Sequence, residues 1–296
     1  MPARALRSRD GIVAVARDRA REQLAAQATR RRWVRRAGEL ASPAQRDVRA
    51  VRRRLARAYL AGSGLEIGAL HLPLPVPRHA HVAYVDRMTS QELRREYPEL
   101  RSYDLVDVDV VDDGQTLVTV PDASVDFVVA NHFIEHTEDP IAALANHARV
   151  LRPGGVLFLA VPDKRRTFDA SRPVTPLEHV VHDHTAGPAG SRRGHYEEWA
   201  TLVEGRQGTA ATERAAALDR DDFSIHFHVW TPHAFAELLL HCAAVEGLPL
   251  ELETLQPVRH EFIAVLRRPD GGSGDGRMDR RAATALAARR FGERAG

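Results

Sequence analysis

From residue 64 onward, short apolar runs alternate with stripes of apolar residues at helical spacing. The runs Leu65–Ile67, His81–Asp86, Leu105–Val111, Val125–Ala130 and Val156–Val161 predict strands. Leu105–Val111 alternates Asp with Val, which suits a strand near an edge. Val125–Ala130 has a continuous apolar centre, which suits burial on both faces. Ser90–Tyr97 predicts a short helix closed by Pro98. Asp139-Pro140 starts a helix whose Ile141, Leu144, Ala145, Ala148 and Leu151 form one stripe. Thr231-Pro232 caps another, with Phe235, Leu238, Leu239 and Cys242 on one face. Leu250–Leu255 and Glu261–Leu266 read as a closing antiparallel pair. Alternating strands and helices predict an α/β fold with a mainly parallel sheet and right-handed crossovers.

The flanks read differently. Residues 1–61 predict a basic helical arm. Ser42-Pro43-Ala44-Gln45 has the form of a capping box. Val48, Val51, Leu55 and Tyr59 then recur at helical spacing, giving a helix that covers a sheet face or forms a lid. The main domain spans 62–268, with a polar insertion at about 164–224 read as a helical cap. Residues 269–296 open with Pro-Asp-Gly-Gly-Ser-Gly-Asp-Gly and read as a flexible tail.

Composition narrows the options. At 44% hydrophobic the 296-residue chain can bury a substantial core. Cys242 is the only cysteine, which removes an internal disulfide and a cysteine-based zinc site. No apolar run approaches membrane-helix length, and no apolar core follows the basic N-terminus, so the expectation is a cytoplasmic protein without membrane partners. Net charge is +2, yet residues 1–60 hold 17 Arg against five acids. Such an arm could attract nucleic acid or another copy of the chain, although a solvated helical face is the plainer reading. Trp33 and Tyr59 are too few aromatics to support base stacking, so nucleic acid is not the expected partner. A homo-oligomer stays open.

The candidate chemistry begins at Gly64-Leu65-Glu66-Ile67-Gly68, a buried strand running into a glycine turn. A second strand follows, ending at Asp86. In open α/β sheets this arrangement builds a nucleotide pocket, with the second-strand acid placed to accept ribose hydroxyls. The repeated glycines of a dinucleotide fingerprint are missing at Ala69, Leu70 and His71. Asp86 could instead cap the following helix, and Asp112 and Asp113 could be ordinary turn acids.

These residues, with Asp112-Asp113-Gly114, Pro121-Asp122-Ala123-Ser124-Val125-Asp126-Phe127, Asn131-His132-Phe133-Ile134-Glu135-His136 and Val150-Leu151-Arg152-Pro153-Gly154-Gly155, resemble the class I S-adenosylmethionine-dependent methyltransferases. The type 11 group is the most similar. The resemblance spans about 62–163. It implies a Rossmann-like seven-stranded sheet with an antiparallel last strand, and S-adenosylmethionine as cofactor. It also implies roles: Glu66 and Gly68 near the methionine end, Asp86 on the ribose, Asp112 or Asp113 beside the adenine, Asn131 and His132 facing the sulfonium and the acceptor. The departure from the pattern lies at Ala69–His71.

Methyl transfer to a hydroxyl needs alignment, exclusion of water and a base, and histidine suits the last. His132, His179 and His228 are the candidate bases, with a small hydroxylated acceptor such as a sugar or specialised metabolite as the expected substrate. Thr175 and Glu178 form a second capping-box pattern. The helix it predicts puts Leu177, Val180, Val181 and His184 on its buried face and His179, His182 and Asp183 on another. In Ile225-His226-Phe227-His228-Val229-Trp230, an extended chain turns His226, His228 and Trp230 to one side, as an acceptor-pocket wall. Histidines with Asp183 could hold a divalent ion. Packed or surface histidines are commoner than ligands, so no metal is assigned. The alternatives to a small-molecule enzyme are a nucleic-acid methyltransferase and a binding protein without turnover.

Overall fold

The computed structural model describes residues 43–100 and 102–270. The readings of Ser42, of helices before residue 43 and of the tail past residue 270 lie outside the described residues. Seven strands form one sheet in the order β3-β2-β1-β4-β5-β7-β6. They are β1 Gly62–Ile67, β2 Ala80–Asp86, β3 Val110–Val111, β4 Val125–Asn131, β5 Leu151–Pro162, β6 Glu251–Val258 and β7 Glu261–Arg267. The first five pair in parallel, and β7 runs antiparallel to both β5 and β6. This is the expected α/β architecture, with the carboxyl ends of β1, β2, β4 and β5 sharing one edge. Because β7 is reversed and pairs Glu261 with Pro162, its first residue arrives at that same edge.

Helix α1 (Pro43–Tyr59) covers one sheet face. Its Leu55 and Ala56 pack with Phe127, Val129, Phe158 and Ile263. Of the two roles open to this segment, the sheet cover is the one observed. On the other face, α3 (Pro140–Val150) and α7 (Pro232–Ala244) bury Ile141, Leu144, Phe235 and Leu238 against Val128, Leu157 and Ala264. Asp139 and Thr231 cap these helices as expected, accepting from Ala142 N and Ala234 N. Helix α2 (Ser90–Glu96) starts from a full capping box between Thr89 and Glu92.

Two expectations fail locally. The strand read at 105–111 shortens to Val110–Val111. The Asp109 carboxylate takes the Tyr84 N–H at 2.8 Å and Ser90 Oγ accepts from Val108 N, so side chains take two N–H groups a ladder would use, while Asp109 N still donates to the Tyr84 carbonyl at 2.9 Å. The Thr175/Glu178 capping box does not form. Helix α4 (Leu177–Ala186) has Pro176 at its N-cap and no side-chain cap, because Thr175 Oγ1 is engaged by Val229 N.

The insertion is helical. It holds α4, α5 (Ala189–Glu198) running into a π-helical turn (Trp199–Val203), and α6 (Thr209–Arg220). Tyr196, Trp199, Ala215, Leu218, Ile225 and Phe227 give it a small core of its own. The chain returns through a strap, 225–230, whose residues are all buried.

Candidate active site

The strand tips gather the residues singled out in the sequence. Glu66, at the end of β1, is 1% exposed, and its carboxylate accepts from Leu74 N at 2.9 and 3.1 Å. Burial pushes its pKa up to about 7, against the Leu74 hydrogen bond and the Arg52 charge. Gly68 follows with φ +64°, and nothing lies within 4 Å of where a Cβ would stand. The turn is left-handed and opens onto free space, which suits glycine. Leu70 also takes a positive φ, +50°, where the pattern expects another glycine. The neighbouring His71 packs against Tyr103 with ring centroids 4.5 Å apart and planes tilted by 43°, and both its ring nitrogens are buried without a hydrogen-bond partner.

Asp86 ends β2, half-buried. Burial raises its pKa, while the backbone N–H groups of Arg87 and Met88 pull it back. Asp112 and Asp113 separate clearly. Asp112 accepts from Asp113 N, Thr119 N and Thr119 Oγ1 at 2.7, 2.8 and 2.6 Å. Its carboxylate is occupied in holding its own turn. Asp113 is exposed and accepts only from Gln115 N at 2.8 Å among side-chain bonds.

At the end of β4, the amide of Asn131 has both polar atoms buried and lies beside Glu66, whose pKa it helps to hold down. His132 comes next with φ +52°, a conformation costly for a residue with a Cβ and concentrated at functional sites. Its Nε2 lies 2.8 Å from Glu261 Oε2, and its side chain is 29% exposed. Glu261 is fully buried and receives a two-pronged ion pair from Arg52 at 2.8 and 2.6 Å. Burial opposes the Glu261 charge, but Arg52 and His132 outweigh it and hold the pKa far below the carboxylate range. On the other side, His132 Nδ1 lies 3.6 Å from Glu135, a buried carboxyl without a hydrogen bond, pushed well above its ordinary pKa by burial. The chain Arg52–Glu261–His132 was not legible in the sequence, since Arg52 and Glu261 stand 209 positions apart.

The other two candidate bases sit elsewhere. His179, from α4, and His228, from the strap, converge on Asp183 with His195 from α5. Asp183 and His228 are fully buried, whereas His182, expected on the same face, is exposed. His226 does not join them. It bonds Asp169 at 2.8 Å, so the strap sends its two histidines to different acids. His228 stacks on Trp230 as the alternation suggested, but both rings are inside the core rather than lining an open pocket. An open groove lined by Arg53, Arg57, Arg78 and His79 lies between α1 and the 75–79 loop, and none of these is a strand-tip residue.

Residues 61–159 match the model of a family described as a methyltransferase domain. A protein of Mycolicibacterium smegmatis, described as a probable S-adenosylmethionine-dependent methyltransferase, is 37% identical over 117 residues. That match covers 40% of this chain and 41% of the relative, so the chain spans about two-fifths of the curated relative's length. Among solved structures, a Haloferax volcanii putative methyltransferase complex with the activator Trm112 is 13% identical, with a TM-score of 0.45 over 84% of this chain and 97% of that one. A methyltransferase from Aquifex aeolicus is 13% identical, with a TM-score of 0.43 over 78% and 96%.

Proposed function

We propose, from the methyltransferase-domain match at residues 61–159 and the likeness to a probable S-adenosylmethionine-dependent methyltransferase, that the chain is a class I enzyme of this kind and transfers a methyl group from S-adenosylmethionine to a small hydroxylated acceptor. Three features of the strand tips fit the cofactor. Gly68 leaves open space at the β1 turn. Asp86 offers a half-buried carboxylate whose hydrogen bonds come from the backbone of Arg87 and Met88. The Asn131 amide, its polar atoms buried, sits beside the Glu66 carboxyl at the same edge. Glu66 and Gly68 would then hold the methionine end, Asp86 the ribose and Asp113 the adenine side. Asp112 serves its own turn instead.

When bound, the cofactor supplies an electrophilic methyl on a positively charged sulfur. The chain's residues must hold the acceptor in line, exclude water and take its proton. The observation that carries the reading is the bond from His132 to Glu261. A hydrogen on Nε2 donated to Glu261 leaves Nδ1 as the basic nitrogen, on the side of the ring that faces Glu135 at 3.6 Å. Arg52 keeps Glu261 ionised, and Glu261 stabilises the imidazolium that forms when Nδ1 takes a hydroxyl proton. His179 and His228, engaged with Asp183, are not offered as bases.

The test is in two steps. Calorimetry with S-adenosylmethionine on the folded protein comes first, and absence of binding ends the reading. A panel of sugars and phenols is then assayed for S-adenosylhomocysteine release. With the acceptor found, His132→Gln should lower kcat by about 100-fold or more while leaving cofactor affinity in place. Normal turnover by that variant would remove His132 as the base.

A further inference from the structure

The cluster left unused by methyl transfer is the one around Asp183. His179 and Asp183 stand four residues apart on α4, so both face one side of the helix. His195 reaches in from α5 and His228 from the strap, and one ligand-capable atom from each of the four lies within 4.8 Å of every other. Asp183 Oδ2 is 3.2 Å from His228 Nε2, 3.3 Å from His179 Nε2 and 3.5 Å from His195 Nε2. His179 Nε2 and His195 Nε2 are 3.1 Å apart. A tetrahedral ion with ligands at about 2.0–2.1 Å has edges of about 3.3–3.4 Å. The four measured edges bracket that value.

Protons alone leave this geometry crowded. If all three Nε2 atoms carry hydrogens, one carboxylate oxygen must accept three donors, and the hydrogens of His179 and His195 oppose each other. If either of those two gives up its Nε2 hydrogen it can accept from the other at 3.1 Å, but its lone pair then also faces the Asp183 anion at 3.3 or 3.5 Å. A cation between the four atoms removes both conflicts. The supporting bonds are those of a metal site: His228 Nδ1 is 3.1 Å from the Thr137 carbonyl, and Ser191 Oγ donates to the other Asp183 oxygen at 2.6 Å.

We propose that His179, Asp183, His195 and His228 bind one Zn²⁺ tetrahedrally, riveting α4 and α5 of the insertion to the strap at 225–230. Three imidazoles and one carboxylate suit zinc, and four protein ligands close the site, which marks it as structural rather than catalytic. The strap's Phe227 N–H also donates to the Glu135 carbonyl at 2.8 Å, so the ion fixes the segment covering the turn after His132. The inference stands on its own whether or not the chain transfers methyl groups.

The full chain, stripped with a chelator and reloaded, should bind one Zn²⁺ per chain in competition with a chromophoric chelator. Loaded with Co²⁺ it should show the intense visible absorption of tetrahedral coordination. His179→Ala removes the most exposed ligand and should weaken Zn²⁺ binding by more than about 100-fold while circular dichroism stays native. Folded wild-type protein that binds no Zn²⁺, or that gives the weak spectrum of octahedral Co²⁺, overturns the site. Equal Zn²⁺ affinity in wild type and a folded His179→Ala also overturns it. Should the variant unfold, wild-type stoichiometry and the Co²⁺ spectrum decide alone.

Discussion

Single side chains at the strand tips carry opposite electrostatic burdens, and each makes a distinct prediction. Asp86 is half-buried, with the backbone donors of Arg87 and Met88 and the Arg87 charge beside its carboxylate. On the proposed reading it gains charge-assisted bonds to ribose hydroxyls when the cofactor binds. Asp86→Ala should then weaken S-adenosylmethionine binding by about 1.5–3 kcal/mol by calorimetry, and unchanged affinity would reject the ribose role. Glu66 is the reverse case, a carboxyl that burial favours in its neutral form, with a pKa near 7. The folded chain therefore holds a proton that the unfolded chain has lost between pH about 4.5 and 7. Stability must fall as pH rises through that window, by up to about 3 kcal/mol from this group. Glu66→Gln keeps an oxygen for Leu74 N and cannot ionise. Urea denaturation should show wild type losing stability relative to this variant between pH 5 and 8. A pH-independent difference would mean that Glu66 stays charged when folded.

Helix α1 shows how far one element can be read from its own residues. Its apolar stripe was legible because Val48, Val51, Leu55 and Tyr59 repeat at helical spacing. Its partner in the site was not, because an ion pair between residues 52 and 261 leaves no local pattern. The same division runs through the chain. The strands at β1, β2, β4 and β5 were legible as apolar runs between breakers, and Glu66, Gly68, Asp86 and Asn131 follow from strand ends meeting at one edge. The Thr175 box failed because tertiary bonding to Val229 overrode a local signal. Asp112 and Asp113, adjacent and chemically alike, could be parted only by seeing that Thr119 folds back onto one of them. The Arg52 pair is testable at this scale. Removing the guanidinium leaves Glu261, fully buried, without its counter-charge. Arg52→Ala should cost about 3–5 kcal/mol in denaturant unfolding, and Arg52→Ala with Glu261→Gln should recover part of it. A loss under about 1 kcal/mol would mean that water replaces the arginine.

At the scale of the molecule, the insertion meets the sheet through both apolar and polar links, with Val180 of α4 buried in the sheet core and Leu177 and Val181 packed against it. The sheet buries one core under α3 and α7 and another under α1, and the insertion buries its own around Trp199 and Phe227. Arg172 ties the insertion to the strap. It is 1% exposed, and it donates to Asp169 at 3.0 Å, to Glu198 at 2.6 Å and to the His226 and Phe227 carbonyls at 2.8 and 3.3 Å. Asp169 in turn bonds His226, and Arg192 pairs with Glu138 beside α3. Arg172→Met keeps most of the side-chain volume but strands the buried Asp169 charge and two carbonyls, at a cost of about 3–5 kcal/mol. Because the sheet core shares none of these bonds, the loss should appear as local opening. Hydrogen exchange in the variant should accelerate across 168–230, while the amides of β1, β4 and β5 keep their wild-type protection. Equal acceleration in the central strands would show instead that insertion and sheet unfold as one cooperative unit. The insertion would then be part of the domain's stability rather than a cover held over its strand tips.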